Sequence, residues 1–136
     1  MKRLALIAAL TLASPALADE ATLDAMAEYL AFAAPIEGVI LPEQIDQTVF
    51  EAATFIDARS AEEFTTGSIP GAINIDWREV LERIDEIPAD GMVILFCNTG
   101  IRSAQATFAL RVAGRTNAVV LQSGLDGWQA NAAYRP

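Results

Sequence analysis

The chain has 136 residues, is 53% hydrophobic and carries a formal charge of −9, with no histidine and a single cysteine. The length suits one domain with one core. Without histidine there is no Ser/His/Asp or Cys/His pair and no histidine-ligated metal. One cysteine excludes an internal disulfide or a cysteine zinc cluster, and the acidic charge argues against nucleic acid as a partner.

Residues 1–18 read as a cleavable secretory leader. Lys2 and Arg3 form the basic start, Leu4 to Leu12 the apolar centre, and Ala16-Leu17-Ala18 after Pro15 the small-residue cleavage site. The apolar centre is shorter than the roughly 20 residues needed to span a bilayer. The expectation is a periplasmic protein, residues 19–136, forming one domain with no stable membrane anchor. Cleavage removes two basic residues and no acid, which moves the formal charge from −9 to −11. The periplasm is oxidising, so an unpaired cysteine there calls for an explanation.

The remaining elements follow in order. Leu23, Met26, Ala27 and Leu30 have helical spacing within 22–34, which ends at Pro35, and this helix is expected to pack on the sheet. A short strand over 38–41 precedes a helix over 42–50. A second strand over 53–57 ends in Asp57, and Ser60 with Glu63 forms a capping box that opens a brief helix through Phe64. Turn residues 67–71 lead into a strand over 72–75. Asp76 and Glu79 resemble another capping box, with Trp77, Val80, Leu81 and Ile84 on one face of a helix that stops at Pro88. The run Met92 to Phe96 has no polar alternation, as in a central parallel strand buried on both faces. A helix over 103–113 with Gly114 as its cap, a strand over 117–121 and a helix over 125–133 complete the chain. Strands alternating with helices predict an α/β fold, a mainly parallel central sheet flanked by helices, with any ligand outside the carboxyl ends of the strands.

Cys97 falls at such an end, followed by Asn98, Thr99, Gly100, Ile101, Arg102 and Ser103. A loop entering a helix can turn its N–H groups inward to hold an anion, and Gly100 permits the close approach this needs. The same field, with a nearby arginine, favours thiolate over thiol. Arg102 has the planar fork that suits oxyanions, or it holds the loop. Two readings stand at this point: a buried core cysteine, or a reactive thiol.

This loop resembles the active-site loop of the rhodanese (thiosulfate sulfurtransferase) homology domain. Three further segments are similar to that family: Asp57-Ala58-Arg59, the run from Gly67 to Asn74, and Gly124-Leu125-Asp126-Gly127-Trp128. Together they cover roughly residues 36–130. The leader and the C-N-x-G loop resemble the small single-domain periplasmic, phage-shock type. The resemblance implies a rhodanese-like fold and a sulfurtransferase that needs no cofactor or metal. Cys97 would take sulfur from thiosulfate or a similar small anionic donor as a persulfide and pass it to cyanide or a thiol, with a protein acceptor also possible. Arg102 and the loop residues Asn98, Thr99, Gly100, Ile101 and Ser103 would bind substrate, and Asp57 and Arg59 would support the site. Ser68 departs from the family pattern, standing where histidine is usual. It is read as a packing or hydrogen-bonding detail.

Two other functions compete. One is a persulfide carrier or partner-binding module without turnover. The other is a cysteine phosphatase or arsenate reductase. Those enzymes place five residues between cysteine and arginine where this chain has four, and no recognisable motif places an aspartate as the general acid they need, with Asp126 left open.

Overall fold

The structure is a computed structural model and describes residues 17–136. The expected leader therefore lies outside the described residues except for its last two positions. Five parallel strands form one sheet: β1 (Val39–Ile40), β2 (Thr54–Asp57), β3 (Ile73–Asn74), β4 (Val93–Phe96) and β5 (Ala118–Leu121), in the order β1-β5-β4-β2-β3. The α/β architecture predicted from the alternation of elements is the one observed.

Helices cover both faces, and β4 shows why its sequence lacks alternation. Ile94 and Phe96 point into a cluster with Phe55, Leu121, Leu125 and Trp128. Val93 and Leu95 point into the opposite cluster with Ile56, Val80, Ala106 and Leu110. All four β4 residues are fully buried, as expected of a strand with helices on both sides.

The helices are α1 (Glu20–Phe32), α2 (Gln47–Ala52), α3 (Ala61–Thr65), α4 (Ile101–Val112) and α5 (Gly124–Asn131). Several caps match their sequence signals. Ser60 and Glu63 close a reciprocal capping box on α3. Gly114, with φ +91°, ends α4, where its N–H reaches the Arg111 carbonyl and the Arg115 N–H reaches that of Leu110, a Schellman motif.

Three expectations need correction. The helix expected over 42–50 is a 3-10 turn at Pro42–Gln44 followed by α2. Asp46 starts the second piece by accepting the Val49 N–H at 2.9 Å. The segment from Trp77 is a series of turns ending in a 3-10 turn, Ile84–Glu86. Asp76 accepts the Arg78 N–H at 3.0 Å, two residues on, and the Glu79 carboxylate pairs with Arg83, so no capping box forms. Trp77, Val80 and Ile84 still pack inward. Finally, α1 packs on α4 rather than on the sheet. Tyr29 meets Phe108 edge-on at 5.5 Å, and Tyr29 and Glu37 accept from Arg111, a buried arginine of α4.

Candidate active site

In the sheet, β2 leads to β3 on one side while β4 leads to β5 on the other. Their exit loops diverge, so the switch point of the strand order, where sheets of this kind bind ligands, lies between the carboxyl ends of β2 and β4. Asp57 pairs in register with Phe96, so Cys97 leaves β4 beside the residues that leave β2.

Cys97 is almost fully buried, 1% exposed. Its sulfur faces the start of α4. The Gly100 N–H donates to Sγ at 3.2 Å and the Ser103 hydroxyl lies at 3.5 Å. Gly100 takes φ +93°, the left-handed conformation that turns its N–H back toward the cysteine. Burial pushes the thiol pKa up. The Ser103 hydroxyl and the N–H groups of Ser103, Thr99 and Arg102 pull it down and prevail, so Cys97 sits below its ordinary value. The proton is thus lost more readily than from an ordinary cysteine, with no histidine present.

The loop is fixed from both sides. On one side, Arg59 and Asp57 form a buried forked pair, with Nη2 to Oδ2 at 2.6 Å and Nε to Oδ1 at 2.9 Å. Arg59 also donates to the Gly67 carbonyl at 2.7 Å and to the Asn98 side chain at 3.1 Å. Ser68 donates to Asp57 at 2.6 Å, the hydrogen-bonding detail expected of it. Asn74 clamps the backbone carbonyls of Asp57 and Arg59. On the other side, the Leu125 N–H meets the Cys97 carbonyl at 2.7 Å and the Asp126 N–H meets that of Asn98 at 3.0 Å.

The sequence pattern marks Glu63 only as a capping residue. In the structure it is the hub of the site's mouth. Both terminal nitrogens of Arg102 donate to its carboxylate at 2.8 Å, and Asn98 Nδ2 donates at 2.9 Å. Arg102 therefore does hold the loop, through a carboxylate 39 residues away. These bonds keep Glu63 far below the usual carboxylate range, the Arg102 pair contributing most. Asn98 links the two arginines through Glu63 and Arg59. Thr99 and Gly100 line a neighbouring groove with Ile101, whose side chain is 70% exposed. Among the described residues, no three acidic or cysteine side chains converge as metal ligands.

A model of the rhodanese-like domain family matches residues 41–131. The chain belongs to the rhodanese family. It is 35% identical over 88 residues to an uncharacterized protein of Bacillus subtilis, YqhL, covering 65% of this chain and 70% of that one. A sulfurtransferase of Allochromatium vinosum is 32% identical over 78 residues, covering 57% and 73%. Among solved structures, a rhodanese-related protein from Thermoplasma volcanium is similar with a TM-score of 0.62 and 29% identity, covering 68% of this chain and 90% of that one. The family match runs from the Pro42–Gln44 turn through α5, and α1 and β1 lie outside it. The rhodanese-like fold is thus shown, and sulfurtransferases are among its relatives.

Proposed function

We propose that the chain is a periplasmic sulfurtransferase that carries sulfur as a persulfide on Cys97. One observation carries this reading: the Cys97 sulfur lies in a ring of N–H and O–H donors that favours its anion. With thiosulfate or a similar donor, the Cys97 thiolate attacks the outer sulfur. The new S–S bond forms as the donor's own breaks, and sulfite leaves with the electron pair. The terminal persulfide sulfur inherits the negative charge, which the same ring of donors stabilises. Cyanide or a thiol then attacks that outer sulfur and regenerates the Cys97 thiolate. A protein thiol in the same compartment is a further acceptor of the right chemistry.

In this cycle Gly100, Ser103, Thr99 and Arg102 stabilise charge through their N–H groups. Asn98 and the Arg102 guanidinium shape the mouth, Ile101 presents an apolar side chain beside it, and Asp57 with Arg59 keeps the loop in place. No proton shuttle and no cofactor is required. The secretory leader supports the periplasmic part, since an unpaired thiol in an oxidising compartment persists when it is buried and in use. The test is turnover: wild-type protein should produce thiocyanate from thiosulfate and cyanide, and Cys97→Ser should not. Hydrolysis of an aryl phosphate in place of sulfur transfer would favour the phosphatase reading. Stoichiometric loading without turnover on any acceptor would favour a carrier.

A further inference from the structure

We propose that Glu63 is a specificity-determining residue of this site: its carboxylate at the mouth selects against doubly charged sulfur donors and in favour of small organic persulfides. This rests on the sulfur-transfer reading and narrows its donor.

The argument begins with the cations. Among the described residues, two arginines reach the Cys97 loop, and both are engaged. Arg59 is buried against Asp57 and bonded to Gly67 and Asn98. Arg102 gives both terminal nitrogens to Glu63. The forked face that a dianion such as thiosulfate would use is therefore occupied by a carboxylate of this chain. Glu63 does not leave easily. The Ser60 N–H donates to it at 3.2 Å and Asn98 at 2.9 Å, in addition to Arg102. The other side chains of the loop, Asn98, Thr99, Ile101 and Ser103, are neutral, and the whole chain is acidic. A dianion would meet an arginine already neutralised by Glu63 and, among the described residues, no other cation with a free fork. The N–H groups and the Ser103 hydroxyl around Sγ remain suited to a single negative charge on a single sulfur atom.

An organic persulfide fits that environment. The Cys97 thiolate attacks the outer sulfur of R–S–SH. A bond forms between the Cys97 sulfur and that atom, the R–S bond to it breaks, and the thiolate R–S⁻ departs with the pair. Cys97 is left as a persulfide, and no oxidant is consumed.

The test measures single-turnover loading of Cys97 by mass spectrometry, with thiosulfate and with hydroxyethyl persulfide as donors. Wild-type protein should load faster from the persulfide. Glu63→Gln, which keeps a cap oxygen for α3 but frees the Arg102 charge, should raise the ratio of the thiosulfate to the persulfide loading constant about tenfold through tighter dianion binding. An unchanged ratio, whether both constants fall or neither moves, would mean that Glu63 only positions the loop, and would overturn the proposal. Salt gives an independent check: thiosulfate loading should fall more steeply, or rise less, with added salt in Glu63→Gln, where Arg102 is freed, than in wild type, and an equal salt dependence would also overturn the proposal. Wild-type protein that loads from neither donor would instead overturn the sulfur-transfer reading itself.

Discussion

Gly124 lies against the backbone of Cys97 and Asn98 with no room for a side chain. A Cβ placed on it would overlap the Cys97 carbonyl oxygen and fall 2.7 Å from the Asn98 carbonyl group, and its φ of +54° is one that L residues rarely adopt. The closeness lets the Leu125 and Asp126 N–H groups cap the carbonyls of Cys97 and Asn98. Gly124→Ala should therefore move the cysteine loop as well as strain α5. We expect a loss of about 2 kcal/mol or more in urea unfolding, with sulfur loading reduced further than stability alone explains.

Asp57 and Arg59 form a buried pair, 0% and 4% exposed. Removing one charge leaves the other buried and uncompensated, which costs about 3 kcal/mol or more. Asp57→Asn should unfold at correspondingly lower denaturant. Ser68→Ala removes one hydrogen bond to the same carboxylate and should cost about 1 kcal/mol. Equal effects from the two variants would contradict the pairing described.

The Ser103 hydroxyl is one of the groups that hold the Cys97 thiol below its ordinary value against the opposing push of burial. Ser103→Ala should raise the pH midpoint of Cys97 alkylation and slow its reaction with iodoacetamide at neutral pH. Because the folded thiol loses its proton more readily than the unfolded one, wild-type stability should rise with pH up to about 9, the ordinary thiol value. Ser103→Ala should weaken that rise.

Glu63 predicts the response to acid. Its folded pKa is depressed below the ordinary 4.5, chiefly by Arg102, so its pairing is fully present above 4.5 and is lost as the pH falls below that value. The side chain is one-third exposed, and solvent screening limits the contribution to about 1 kcal/mol or less. Glu63→Gln should flatten this part of the acid unfolding curve measured by circular dichroism.

The sequence made β4, the cysteine loop and most helix boundaries legible, because each carries a local signal. Examples are an unbroken apolar run, a glycine before a helix, and Ser60 facing Glu63. The turns from Trp77 to Glu86 read as a helix because the apolar spacing is helical, but Asp76 accepts from the Arg78 N–H and the Glu79 carboxylate pairs with Arg83 in place of the capping box. The packing of α1 on α4 depends on Arg111 reaching Tyr29 and Glu37, contacts 82 and 74 residues apart that no local pattern announces. The same holds at the site. Glu63 looked like a cap and is a cap, but its second role needs Arg102, which only the fold brings to it. Gly124 was visible as part of a motif, but its reason, the carbonyl of Cys97, was not.

The central claim is that Cys97 carries transferred sulfur. The most direct measurement is intact-protein and peptide mass spectrometry after brief treatment with thiosulfate or hydroxyethyl persulfide, followed by cyanide. The account predicts one added sulfur atom on the peptide containing Cys97, removed by cyanide and absent in Cys97→Ser. An unmodified Cys97 in folded wild-type protein, or an adduct that survives cyanide, would contradict it.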